Sequence, residues 1–376
     1  MTPKIAHFLA TQTPATPCLV LDVDRIDSNF RALRAALPAA QIYYAVKANP
    51  AAPVLERLVR LGSRFDAASF EEVAACLDAG ATGAAISYGN TIKKAEAIRR
   101  AHAAGVSMFA FDSIEELEKI AANAPGARVY CRILVGNVGA DWPLSRKFGT
   151  TVGMARELML RAGELGLDPY GLSFHVGSQQ TSPASYEAAI GRVAMLFTDL
   201  REHGVKLRML NLGGGFPVRY RDAVPEIGAF ANAIMHAMTE HFGNDLPEIV
   251  IEPGRAVVAD AGVVCAEVVL VSRKMKDDPV RWVYLDIGRF GGLAETEGEA
   301  IKYRITTPHD GAPSGPVTIA GPTCDGVDIL YERSNYRLPL PLACGDRVLL
   351  EATGAYVTSY ASQRFNGFAP PAEHYI

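Results

Sequence analysis

The stretch Gln41-Ile42-Tyr43-Tyr44-Ala45-Val46-Lys47-Ala48-Asn49-Pro50 and its continuation AAPVLERLVRLG, residues 51–62, decide the fold. Residues 42–46 form a short apolar run of β-branched and aromatic side chains, which predicts a buried strand. Val54, Leu55, Leu58 and Val59 then recur at helical spacing, and Gly62 supplies the stop. A strand followed at once by an amphipathic helix is the unit of a parallel sheet, whose neighbouring strands need a long crossover. Outward from this unit, the same pattern recurs with apolar runs at 63–66, 84–88, 107–111, 129–134, 172–176, 209–212 and 249–251. Eight such units over roughly 215 residues predict an α/β fold, a closed (β/α)8 barrel, with a doubly wound open sheet as the alternative. Asn90-Thr91 and Asp112-Ser113 stand ahead of two helical stretches as capping sequences, and Ser113-Ile114-Glu115-Glu116 matches a capping box.

Beyond about residue 262 the rhythm changes. Runs at 263–271, 282–287, 316–320 and 347–352 are β-rich and separated by Gly, Pro and Asp, while 288–299 and 308–316 read as loops. Residues 23–261 are therefore assigned to the barrel, and residues 1–22 with 262–376 to a mostly β domain.

The 376 residues are 49% hydrophobic and 21% charged, too apolar for a disordered chain. Lys+Arg 37 against Asp+Glu 41 gives a net charge of −4 with no block of like charge, which argues against a nucleic-acid partner. Small molecules and copies of the same chain are the expected partners. The six cysteines show no CxxC pair and the histidines no metal spacing, so no metal site is expected. The opening MTPKIAHFLATQTPATP is unlike a signal peptide, and no run approaches about 18 apolar residues. A reducing, cytoplasmic location without membrane insertion is expected.

The reactive residue types fall at or just past strand C-termini: Lys47, Asp66, Arg132, His175, Gly213 to Gly215, and Glu252. A (β/α)8 barrel holds its active site at that end. Taken singly, each has an ordinary reading: Lys47 as a surface lysine, the Gly213-Gly214-Gly215 run as a frequent βα turn, Glu252 with Arg255 as a salt bridge, and His175 as a packed histidine. Taken together, an amine for an aldehyde, a glycine run for a phosphate and an acid for a pyridine nitrogen point to pyridoxal phosphate.

Eight motifs then resemble, in order, those of the eukaryotic-type ornithine decarboxylases. They are Tyr44-Ala45-Val46-Lys47-Ala48-Asn49, Phe65-Asp66-Ala67-Ala68-Ser69, His175-Val176-Gly177-Ser178, Gly213-Gly214-Gly215-Phe216-Pro217, Glu252-Pro253-Gly254-Arg255, Gly321-Pro322-Thr323-Cys324-Asp325-Gly326, Gly354-Ala355-Tyr356 and Phe365-Asn366-Gly367-Phe368. The match runs from about Leu19 to Phe368. The wider family comprises fold type III pyridoxal-phosphate enzymes, a barrel plus a β domain, and includes diaminopimelate and arginine decarboxylases and alanine racemase.

The resemblance implies that Lys47 is the Schiff-base lysine, with Asp66 near it and Glu72 behind. It implies that His175 stacks on the ring, that Ser178, Gly213, Gly214, Gly215, Arg255 and Tyr356 hold the phosphate, and that Glu252 meets the pyridine nitrogen. Arg132 and Gly254 support the cofactor side. From the partner subunit of a homodimer with shared active sites, Cys324 guides protonation of the decarboxylated carbon and Asp325 receives the distal ammonium. Tyr303, Phe365 and Asn366 border the substrate. The implied activity is decarboxylation of L-ornithine to putrescine. The alternatives are a lysine or dual lysine/ornithine decarboxylase, then an amino-acid racemase, and, from a different class, an inactive relative acting as a binding regulator. In one place the chain departs from the pattern. Animal ornithine decarboxylases carry an acid after a Tyr near the substrate's far end, whereas this chain reads Lys302-Tyr303-Arg304.

Overall fold

The computed structural model describes residues 1–143 and 147–376. It divides into two compact units, one of residues 27–217 and 224–254, the other of residues 1–26, 218–223 and 255–376.

The first unit is a closed barrel of eight strands. In chain order they are Ala40–Ala45, Arg64–Ala67, Ile86–Tyr88, Met108–Phe111, Arg128–Arg132, Asp168–Ser173, Met209–Asn211 and Glu248–Ile251. All pair in parallel, and the eighth closes on the first through Val250 opposite Gln41 and Ile251 opposite Ile42. The open-sheet alternative is thereby excluded. Tyr43, Met108, Ala110, Tyr130, Tyr170, Met209 and Val250 pack together as one buried cluster, so the barrel has a solid core beneath its mouth.

The helices follow from their sequences. The helix Ala52–Arg60 buries Val54, Leu55 and Leu58. Ser113 caps Ile114–Asn123 by accepting from the Glu116 N–H at 3.3 Å. The Glu116 carboxylate makes ion pairs with Lys93 at 2.8 Å and Lys119 at 2.6 Å. Asn90-Thr91 is not a cap. Asn90 accepts from the Ile92 N–H in a local turn, and the helix Ala95–Ala103 starts later with Lys94 at its N-cap.

The second unit is built on a nine-stranded sheet. Its long strand Gly262–Ser272 pairs antiparallel with Cys18–Leu21, Arg281–Leu285 and Arg347–Glu351. Side chains alternate across it. Val264, Ala266 and Val268 join one core with Leu285, Ile319 and Leu350, whereas Val263 and Cys265 join a smaller core with Cys18, Val20 and Ile5 of the helix Pro3–Gln12. The stretch expected as a loop at 288–299 contains the 3-10 segment Ala294–Glu299, and the strand Ser314–Ala320 begins inside the other, 308–316. Among the described residues no helix is long and apolar enough to cross a membrane.

Candidate active site

At the C-terminal ends of the barrel strands, the charged residues meet. Lys47 follows the first strand on a single 3-10 turn, Val46–Ala48, which carries it past the sheet hydrogen bonds. Its Nζ lies 3.0 Å from Asp66 Oδ2 in the second strand, and the Asp66 side chain is 5% exposed whereas that of Lys47 is 44% exposed. The amine thus stands at the mouth on a buried acid. A second barrel lysine shows the contrast. Lys93 has no exposed side-chain surface; Glu116 and the carbonyls of Asn90 and Ala110, each at 2.7 Å, hold its Nζ, and burial lowers its pKa to about 8. Lys93 is enclosed as a structural ion pair, while Lys47 is presented.

Gly89, at the tip of the third strand, makes room for the buried acid: a Cβ there would fall 1.9 Å from Asp66 Oδ1. Glu72, partly buried behind this pair, accepts from the Ala68 N–H at 2.6 Å. Burial raises its pKa, against the effects of that hydrogen bond and of Lys47.

Glu252, following the eighth strand, is pushed up to about 7, first by burial and then by Asp66, while Lys47, Asn211 and Arg132 pull it down. The Asn211 amide donates to Glu252 Oε1. His175, two residues past the sixth strand, accepts through Nδ1 from the Gly177 N–H at 3.0 Å. Its pKa lies well below the usual value because of burial, then of Arg132 and Lys47, so it is neutral at pH 7. Arg132, the last residue of the fifth strand, lies over the Phe148 ring, and burial lowers its pKa. Ser178 opens a short strand, Ser178–Gln180, that pairs with Ala140–Trp142. Gly254, buried, ends the barrel unit.

The glycine run is required by close backbone approach. Gly213 and Gly215 have φ +68° and +105°, and a Cβ at Gly213, Gly214 or Gly215 would lie 2.4 Å from the carbonyl oxygens of Phe174, Glu252 and Gly177, respectively. The same Cβ on Gly214 would lie 3.5 Å from His175 Nε2, so the run sits against the imidazole and the backbone of Glu252. A bare-backbone cradle, a presented amine, an acid and a neutral flat ring are the donor set that pyridoxal phosphate needs.

The sequence of the barrel decides the family. A model of the family described as pyridoxal-dependent decarboxylase, pyridoxal binding domain, matches residues 23–259. The chain belongs to the pyridoxal-dependent decarboxylases. It is 36% identical to the lysine/ornithine decarboxylase of Selenomonas ruminantium over 97% of this chain and 90% of that protein. It is 32% identical to ornithine decarboxylase of Mus musculus, over 94% and 78% respectively. The solved structure of SrLDC in complex with PLP and cadaverine matches with a TM-score of 0.88 at 33% identity, covering 99% of this chain and 93% of that one. Pyridoxal phosphate is accordingly the cofactor of this decarboxylase family member.

The remaining expected residues lie in the β unit. Arg255 is buried, with its guanidinium on Glu295 at 2.6 and 2.8 Å and on the Tyr220 hydroxyl at 2.6 Å, and it lies 4.9 Å from the Tyr356 ring centroid. Cys324 and Asp325 are exposed on a turn. The Cys324 N–H donates to Asn366 Oδ1 at 3.0 Å, and Phe365 packs on Phe290 with centroids 4.5 Å apart. The structure therefore brings Cys324, Phe365 and Asn366 to one surface. Tyr303 is corrected: its ring is fully enclosed in the β-unit core, edge-on to Tyr220 at 5.4 Å, and is not offered to a substrate. Arg304 is bound through Nε and Nη2 to Glu351.

Two polar residues escaped the sequence reading. Asn211 was absorbed into an apolar run, although a buried amide two residues ahead of a glycine run is a signal. Asp328 braces the Cys324 turn, accepting from the Thr323 N–H and hydroxyl at 3.1 and 2.7 Å and from the Arg289 N–H at 2.8 Å.

Proposed function

We propose that this chain is an active decarboxylase of diamino acids that converts L-ornithine to putrescine. The observation that carries the reading is the meeting, at one barrel mouth, of the Lys47 amine on Asp66 with a second acid, Glu252, held by Asn211. Pyridoxal phosphate, when bound, supplies an aldehyde for an amine and a protonated ring that draws electrons from the bond being broken. Lys47 carries the cofactor, and Asp66 aims its Nζ. Gly213 to Gly215 and Ser178, with Arg255 and Tyr356, hold the phosphate. Glu252 would face the pyridine nitrogen and in its ionised form keep a proton there, and neutral His175 would support the ring without adding charge. Arg132 and Gly254 support the cofactor side. Cys324 delivers the proton that replaces the departing carboxylate at Cα, and Asp325 pairs with the distal ammonium. Phe365 and Asn366 border the same site.

Cys324 and Asp325 serve the barrel of a second copy in a homodimer. In support, they stand beside Val327, Phe365 and Phe368, which are 57%, 36% and 44% exposed, an apolar surface of the kind a partner covers. All six cysteines are free, in keeping with a reducing cytoplasm. A second reading, that lysine is also accepted, is favoured by the 36% identity to a lysine/ornithine decarboxylase and by Arg304, which stands where the resembling animal enzymes carry an acid.

Product identification after incubation with ornithine, lysine, arginine and diaminopimelate, each alone, tests the reading. Putrescine from ornithine at the highest kcat/KM is expected. Cadaverine as the faster product would replace ornithine with lysine, and no product from any of the four would leave a binding regulator.

A further inference from the structure

Asn211 is the last residue of the seventh barrel strand, after Met209 and Leu210, and is 1% exposed. A polar amide buried there needs partners on both ends. It has them. Its Oδ1 accepts from the Gly213 N–H at 2.8 Å, and its Nδ2 donates to Glu252 Oε1. The backbone runs in parallel with this: the Glu252 N–H donates to the Gly213 carbonyl at 2.8 Å, and the Phe174 N–H to the Asn211 carbonyl at 3.1 Å. One side chain therefore ties the start of the glycine run to the acid that follows the next strand.

We propose that Asn211 is the positioning residue of the barrel site, a clamp that fixes the phosphate-side loop and the pyridine-side acid relative to each other and favours the ionised form of Glu252. The inference rests on the cofactor placement proposed above. Its physical basis is that a cofactor with a phosphate at one end and a ring nitrogen at the other has a fixed span, so the two protein groups must keep a matching one. A hydrogen bond donated to a carboxylate also favours its charged form. The charged and titratable groups acting with Asn211 around Glu252 are Lys47, Asp66, Arg132 and Tyr130, with His175 beside the glycine run.

The test is the affinity of resolved apoprotein for pyridoxal 5′-phosphate, titrated as a function of pH, in the wild type and in Asn211→Ala and Asn211→Asp. Asn211→Ala removes both bonds, so affinity should fall roughly ten- to a hundredfold, the worth of a hydrogen bond to a charged group. Without the donated N–H, Glu252 takes up its proton at higher pH, so the acid limb of the affinity profile should move upward. Asn211→Asp is nearly isosteric and keeps an acceptor for the Gly213 amide. Its carboxyl and Glu252 share one proton, and the resulting monoanion resists a second protonation, so the acid limb should stay at or below that of the wild type. A packing role alone would move neither limb. An unmoved limb and unchanged affinity in Asn211→Ala, or an upward shift in Asn211→Asp, would overturn the clamp. Should Asn211→Ala fail to melt cooperatively, the Asn211→Asp limb decides. A wild-type protein that takes up no cofactor would overturn the placement itself, a result distinct from the failure of the clamp alone.

Discussion

In the barrel unit the polar residues near the strand ends hold one another: Lys47 rests on Asp66, and Asn211 joins Gly213 to Glu252. In the β unit Cys324 and Asp325 are instead held through main-chain N–H groups, Cys324 by its own N–H on Asn366 Oδ1 and Asp325 by accepting from the Val327 and Asp328 N–H groups at 3.0 and 3.1 Å. The first arrangement is built before any ligand arrives, since burying charges is tolerable only when they are paired. The second exposes an acid, a thiol and several aromatic side chains to solvent, where an isolated charge is stable and little is fixed. The barrel carries preorganised chemistry, and the exposed turn gains its value once another surface covers it.

Removing the amine breaks the first half outright. Lys47→Ala should lower kcat/KM by at least about a thousandfold, since the substitution removes the amine that stands on Asp66. Borohydride reduction of the loaded wild type should place the pyridoxyl group on Lys47, and a label on Lys93 would contradict the distinction drawn between the two lysines.

Asp325→Asn should raise KM for the diamino acid roughly ten- to a hundredfold, corresponding to about 1.5 to 3 kcal/mol for a charge-assisted bond. Cofactor affinity should stay unchanged, because the substitution lies in the other half. An unchanged KM with weakened cofactor binding would reassign Asp325 to the coenzyme.

The raised acid gives the barrel an unusual pH signature. Glu252 in the folded apoprotein titrates at about 7 rather than at its usual 4.5. Between those values the folded state keeps a proton that the unfolded chain has lost, so this group's contribution to apoprotein stability falls as pH rises through that window. The effect should be on the order of a few kcal/mol at most, and Glu252→Gln should flatten it in urea titrations taken across the window. A slope that persists unchanged in the variant would assign it to another group.

The smallest effect concerns the departure at Arg304. Its partner Glu351 also binds the Met1 amino group, at 3.2 Å, and the Arg304 side chain is 46% exposed. Arg304→Ala should therefore cost no more than about 1 kcal/mol in stability. It should also leave the preference between ornithine and lysine in place, as measured by competing the two substrates. A reversal would show that this side chain reaches the substrate despite Glu351.

The eight barrel strands were legible because strands buried on both faces read as continuous apolar runs, each followed by a helical period. The long β-unit strand at 262–272 was legible as a nearly continuous apolar run, its first part being buried on both faces. The helix Pro3–Gln12, the strand Cys18–Leu21 and the short strands Ile329–Tyr331 and Arg337–Pro339 were not, since a few residues carry no period and their pairing is decided by distant segments. The same limit hid Asn211, whose partner Glu252 lies 41 residues away. Tyr303 was misread because motif position says nothing about which way a side chain turns. Its neighbour Arg304 takes the half-exposed side and leaves the ring to the core.

Complementation between two inactive variants tests most directly the division of labour between barrel and β unit. Lys47→Ala and Cys324→Ala should each be severely impaired alone. Co-expressed, they assort at random, so about half of the dimers are hybrids, each with one site bearing both defects and one bearing neither, and roughly a quarter of all sites are intact. Recovery of activity toward that fraction is expected. If hybrid dimers are demonstrated by mass and activity stays at the level of the parents, each site is built within one chain, and the assignment of Cys324 and Asp325 to a partner's barrel is wrong.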